Sequence, residues 1–143
     1  MSIKQISVFV ENKPGALSAM TQVLAEQGVD MRALSLAETK DFGIVRIIVD
    51  KVYEATTALK DAGYVHSVTP VVGAAIPDTP GGLDQVLRVL SGAGVNVEYM
   101  YAFVGNQDGH AVVVMRTDNA ETALQALEDN HVSTLDPKDI YRL

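Results

Sequence analysis

Ile3 to Val10 alternates in polarity, with Ile6, Val8 and Val10 on one face and Ser7 and Phe9 on the other, the period-two pattern of a strand. Pro14-Gly15 ends it. Leu17, Met20, Val23 and Leu24 then follow helical spacing, predicting an amphipathic helix to about Gln27 with Gly28 as its stop. Met31 to Ala37 reads as a second strand, Thr39 to Gly43 as a hairpin loop, and the β-branched run Ile44 to Val49 as a third strand. Val52, Ala55 and Leu59 mark a second helix stopped near Gly63, and Val65 to Val68 a short fourth strand before Pro70. The order then recurs. Val71 to Ile76 is a strand, Leu83, Val86, Leu87 and Leu90 line a helix ended by Gly92-Ala93-Gly94, and Val95, Val97, Tyr99, Tyr101 and Phe103 form the apolar face of another strand. After a loop at Gly105 to Gly109 come a strand at Ala111 to Arg116 and a helix carrying Ala120, Ala123, Leu124 and Leu127. The tail, Val132 to Leu143, is expected to supply the last strand. The predicted fold class is α+β: two ferredoxin-like β-α-β-β-α-β units, residues 1–70 and 71–143, each an antiparallel sheet with helices on one face.

The two halves share more than their order. Asn12-Lys13-Pro14-Gly15-Ala16-Leu17 returns 66 residues later as Asp78-Thr79-Pro80-Gly81-Gly82-Leu83. The same offset carries Leu24 onto Leu90, Gly28-Val29 onto Gly94-Val95 and Gly43 onto Gly109. From Pro14 to Asp30, seven of seventeen positions are identical without an insertion, so the chain reads as two copies of one unit. No Gly/Ser-rich linker separates them, and close packing of the copies, edge to edge, is expected.

Composition removes several functions. No apolar run approaches the roughly 18 residues of a membrane span, and the N-terminus shows no secretory pattern, so no membrane insertion and a cytoplasmic location are expected. Zero cysteines exclude disulfides, thiolate catalysis and cysteine-type zinc sites. A net charge of -7 and scattered Lys and Arg oppose nucleic-acid binding. His66, His110 and His131 are far apart along the chain and lack a two-ligand spacing, so no metal or other cofactor is expected. Gly92-Ala93-Gly94 sits at a helix end, where a dinucleotide fingerprint would open one. Glu128-Asp129, Asp136 and Asp139 read as a solvated face and Met20, Met31 and Met100 as core filler.

The recurring turn, a helix ending in Gly-Val-Asp or Gly-Val-Asn, and the β-α-β-β-α-β order together resemble the ACT domain. Two such units covering essentially the whole chain resemble a free-standing tandem ACT protein with no enzyme domain attached. The resemblance implies regulatory, non-catalytic binding of a small molecule, usually an amino acid, where two ACT units pair: the turn after the first strand comes from one unit and the start of the second strand from its neighbour. It places ligand contacts at Asn12, Lys13, Pro14, Gly15, Ala16 and Leu17, at Asp78, Thr79, Gly81, Gly82 and Leu83, and at Asp30 and Asn96.

The residues support that chemistry directly. Free amides and the positive dipole end at a helix start suit a carboxylate, and Gly15 and Gly81 keep the backbone approachable. The plainer reading is that Pro-Gly only turns the strand into the helix, and that Asn and Asp beside it are local turn chemistry. If one pocket combines Asn12 with Asn96, it can donate to a carboxylate and accept from an ammonium; a pocket combining Asp78 with Asp30 repels a carboxylate. If like copies pair between two chains, each site holds one Asn and one Asp. A homodimer and a partner enzyme are expected. The competing functions are a ligand-independent regulatory or scaffolding subunit and a small enzyme on a ferredoxin-like fold, for which no nucleophile, base or metal cluster is legible.

Overall fold

The structure is a computed structural model that describes residues 2–107 and 109–142. They form two compact units, Lys4–Thr69 and Pro70–Leu143 joined by the first three residues.

In the first unit, β1 (Ile3–Glu11) leads through a tight corner into α1 (Ala16–Glu26), then β2 (Met31–Glu38), β3 (Phe42–Val49) and α2 (Val52–Asp61). β3 is antiparallel to both β1 and β2, with Val8 opposite Val45 and Leu36 opposite Val45 on the other side. The Phe9 amide donates to the Val65 carbonyl at 3.0 Å, bringing the chain after α2 alongside β1. Alternate residues of β1 and β3, Ile6, Val8, Val10, Val45, Ile47 and Val49, meet Met20 and Leu24 of α1 and Ala55 and Leu59 of α2 in one core. Each fully buried Leu or Ile there contributes about 1.5–3 kcal/mol relative to an exposed one.

The second unit repeats the plan with β4 (His66–Pro77), α3 (Gly82–Gly92), β5 (Val97–Gln107), β6 (His110–Thr117) and α4 (Ala120–Asp129). β6 lies between β4 and β5. Its core is Val72, Ala74, Ile76, Val113 and Met115 against Val86, Leu90, Ala123 and Leu127.

Five expectations change. The strands expected at Val65 to Val68 and at Val71 to Ile76 are one strand, β4, with Pro70 inside it; the ladder to β6 runs from Val72 to Pro77, so the donor that Pro70 lacks is not one of that ladder's bonds. The expected last strand is reduced to a short pairing: Leu135 donates to the Gly73 carbonyl and Ala75 to the Ser133 carbonyl, both at 2.9 Å. Pro137 then starts a 3₁₀ helix, Pro137–Arg142. Gly73 admits this segment, since a β-carbon there would lie 3.0 Å from Leu135 Cδ1.

The remaining three concern the register of the repeat and the β5–β6 hairpin. Val8 faces Val45 and Ala74 faces Val113, so the copies stand 66 residues apart in the first strand and 68 apart in the third. The two extra residues lie in the β5–β6 hairpin, where β5 carries an additional bulge between Ala102 and Asn106. Gly43 therefore corresponds to Ala111 and sits inside β3 against Leu36 and Val10, whereas Gly109, at φ 76°, is a turn residue. Much of the loop expected at Gly105 to Gly109 is strand through Gln107, and Asp108 lies outside the described residues. A bulge between Val97 and Tyr99 also divides the expected apolar face of β5. Val95 and Val97 belong to the helix-side core, while Tyr101 stands beside Val114 on the opposite face.

The 68-residue offset pairs Thr117 with Val49. Val49 is buried in the first core, whereas the buried Thr117 Oγ1 has no hydrogen-bond partner among the described residues. Thr117→Val removes this unsatisfied group and is expected to raise unfolding free energy by about 1 kcal/mol in urea titration; Val49→Thr is expected to lower it by at least as much.

Candidate functional site at the repeated corner

The corner after β1 is closed by backbone bonds: Lys13 donates to the Glu11 carbonyl at 3.0 Å, and Ala16 to the Lys13 carbonyl at 3.3 Å. Gly15, at φ 84° and ψ −13°, is the N-cap of α1 and supplies no side-chain cap. Gly81, at φ 85° and ψ −5°, does the same for α3, where the Gly82 amide bonds the Thr79 carbonyl. By contrast, Asn119 caps α4 through its side chain, accepting from the Thr122 amide at 3.0 Å. The first intrahelical bonds of α1 and α3 come from Ala19 and Gln85, so the amides just before them have no partner within the helix.

The two corners differ in charge and in space. The first turn of α1 has no acidic residue, and the nearby Lys13 ammonium pairs with Glu11 at 3.1 Å. The first turn of α3 carries Asp84, whose carboxylate binds Arg88 at 2.8 Å, and Asp78 stands before the turn. Space around Gly15 and Gly81 is open, so their glycine is demanded by the left-handed backbone rather than by crowding. At Gly82 crowding decides, because a β-carbon would overlap the Pro77 carbonyl oxygen; the matching residue in the first copy is Ala16.

Asn12 is fixed to the neighbouring hairpin. Its amide donates to the Asp41 carbonyl at 3.0 Å and Nδ2 to the Thr39 carbonyl at 3.3 Å, leaving Oδ1 as an acceptor on an exposed side chain. Asp78 is held likewise, its amide donating to Gly109. Asp30 and Asn96 precede the second strand of each unit, locked by Asp50 and Asp118: each amide donates to that aspartate's carboxylate at 2.9 Å and each carbonyl accepts its amide at 3.2 Å. Asp30 is further paired with Arg32 at 3.3 Å.

β1 and β2 run parallel on either side of β3, so Asn12 follows the end of one while Asp30 precedes the start of the other. Eight strand residues at about 3.3 Å each put these positions at opposite ends of the sheet. The same separation holds for Asp78 and Asn96. Within a single unit the expected head-group residues are thus not brought together.

A cavity of about 370 Å³ adjoins the first corner, lined by Lys13, Ala16 and Glu11 with Ala19, Gly63 and Tyr64 among others. Asn12, Pro14, Gly15 and Leu17 do not line it. Tyr64 went unread in the sequence because it follows α2, far along the chain from the Pro-Gly motif, and Ala19 because it is a small residue one turn into α1 with no chemistry of its own to single it out. The available signal was Gly63, at φ 84°, which turns the chain so that Tyr64 returns to the core. Among the described residues no three His, Asp or Glu side chains gather as a metal site, and no helix is long and apolar enough to cross a membrane.

Replacing Gly15 by Ala is expected to cost about 1–2 kcal/mol, the penalty of a β-carbon in the left-handed region. Gly82→Ala is expected to cost more, because it meets backbone; chemical denaturation of the two variants checks the order.

The family model of the ACT domain pair matches residues 1–143. A crystal structure of a protein from Bacteroides thetaiotaomicron superposes with a TM-score of 0.93 at 42% identity, over 100% of this chain and 98% of that one. The ligand-free regulatory subunit of aspartate kinase from Thermus thermophilus gives a TM-score of 0.66 at 20% identity, over 88% and 91% of the two chains. That of Thermus flavus gives 0.62 at 18%, over 90% and 92%; both share the fold. No curated protein matches the chain.

Proposed function

Since the chain belongs to the ACT domain pair family, we propose that it is a non-catalytic regulatory protein that binds an amino acid and signals to a partner protein. The division into ACT units 1–70 and 71–143 is part of this reading. The observation that carries it is the start of α1, which has no side-chain cap, no acid in its first turn and open space in front of Gly15. Such an end attracts a carboxylate through the amides that have no partner within the helix and through its dipole. Asn12, with Oδ1 unengaged, offers an acceptor for the ammonium, and Asn96 is the second head-group residue that an ACT pair would contribute. The corner at Asp78 is poorer for a carboxylate, because Asp78 and Asp84 repel it. Ligand that prefers one arrangement of paired units over another changes the affinity of those units for a partner by the same free energy. A partner enzyme fits the likeness to regulatory subunits of aspartate kinase; a homodimer and a cytoplasmic location complete the proposal.

A specific observation favours a second reading, a ligand-independent subunit that docks on an enzyme. Leu34 and Leu36 of β2 stand 40% and 53% exposed on the helix side of the sheet.

Calorimetry and thermal shift over the twenty amino acids separate the two. Ligand at 100 times its dissociation constant is expected to stabilise the protein by about 2.7 kcal/mol. Asn12→Ala and Asn96→Ala are each expected to weaken binding about tenfold or more, the loss of one hydrogen bond to a charged group. A melting point unmoved by every amino acid supports the docking subunit instead.

A further inference from the structure

The cavity of about 370 Å³ in the first unit lies against the corner itself. Lys13 and Ala16, on either side of Pro14-Gly15, belong to its wall, and Ala19 stands one turn further along α1. An amino acid whose carboxylate meets the amides that follow Ala16 therefore has its side chain beside the residue that also walls this hollow. Its head group stays outside, as Asn12 does.

The lining decides what kind of side chain can enter. Among the described residues its polar side-chain groups are the Glu11 and Lys13 charges and the Tyr64 hydroxyl, while Phe9, Val10, Ala16, Ala19 and Val65 supply carbon. The two charges are spent on each other at 3.1 Å. The backbone is engaged as well: the amides of Phe9, Lys13, Ala16, Ala19, Gly63 and Tyr64 donate to carbonyls of the chain at 2.9–3.3 Å. A polar side chain entering here gives up water and finds little in exchange, and a charged one must also break the ion pair. An apolar side chain faces neither cost. Phe9 and Val65 stand 43% and 70% exposed, so the hollow presents carbon to water that such a side chain covers.

The second copy supplies the contrast. Its version of the hollow, about 290 Å³, is lined by Gln85 where the first has Ala19, His131 where the first has Gly63 and Ser133 where the first has Val65, with His110 beside them. Each exchange puts a polar group into the second hollow that the first lacks. The corner with no acid in its helix's first turn is thus also the corner with the apolar hollow, and the corner carrying Asp78 and Asp84 has the polar one.

We infer that the ligand of the first corner is an amino acid with a bulky apolar side chain, held in the hollow between Ala16 and Ala19 of α1 and the Tyr64-Val65 segment. This rests on the reading that the corner binds an amino acid, and adds the class of side chain it selects. The volume lies at the lower end of small-molecule sites and suits one side chain of that kind.

Calorimetry of the full chain with leucine, phenylalanine, glycine, serine and aspartate tests it. Leucine and phenylalanine are expected to bind about tenfold or more tighter than glycine, and serine and aspartate no tighter than glycine. Ala19→Gln gives the first hollow the second copy's residue at an exposed helical position, and is expected to remove most of the preference for leucine over glycine with the melting temperature kept. Val65→Ser, at an exposed position, is expected to narrow the preference too. Asn12→Ala, by contrast, is expected to weaken leucine and glycine alike. If no amino acid binds, the amino-acid reading falls and this inference with it. If amino acids bind but leucine has no advantage over glycine, or its advantage survives both Ala19→Gln and Val65→Ser, this inference alone is overturned.

Discussion

A strand that must become a helix within four residues has few ways to turn, and this chain uses one of them twice. Gly15 and Gly81 both adopt a left-handed backbone near φ 85°, a conformation that an L-residue with a side chain adopts only at a cost. That single dihedral choice sends α1 and α3 back across their sheets so that Met20 and Leu24, or Val86 and Leu90, reach the core. It also forfeits a side-chain cap, because glycine has nothing to offer the first amides. Packing and binding chemistry are therefore coupled at the same residue: the turn that permits the core leaves donors at the helix start with no partner within the helix.

Duplication supplied two such corners, and small differences have made them unequal. The first has Ala16, no acid in the helix's first turn and an asparagine before the turn. The second has Asp78 and Asp84, with Gly82 pressed on the Pro77 carbonyl. The helix-end loops have diverged as well, with Gly63 in one copy and the strained His131 in the other. The corner itself is kept, with Pro14, Gly15 and Leu17 repeated as Pro80, Gly81 and Leu83, whereas the head-group positions Asn12 and Asp30 become Asp78 and Asn96.

Helices and strands were largely legible because their signals are local. Leu17, Met20 and Leu24 lie on one helical face, Ile6, Val8 and Val10 on one strand face, and the glycines after the helices stop them by conformational necessity. The corner residues were legible for the same reason, as Pro-Gly in register twice is a statement about backbone geometry. Less was legible where pairing decides. Nothing in Val97 to Tyr101 announces that a bulge will move Tyr101 off the face of Val97, and the two residues added in the β5–β6 hairpin hide the true partner of Gly43. Pro70 reads as a break because its missing donor is a local fact, whereas whether any acceptor needed that donor depends on the neighbouring strand.

By itself the sequence determined that the chain is a duplicated β-α-β-β-α-β unit with a glycine-bearing corner before the first helix of each copy, since periodicity and left-handed turns are properties of a few consecutive residues. Only the tertiary structure decided which residues share a space. It separated Asn12 from Asp30 by the length of a sheet, placed Tyr64 beside Lys13, and gathered His110 and His131 at one cavity. Those distances are set by strand direction and register, which are relations between segments and are written in no one segment alone.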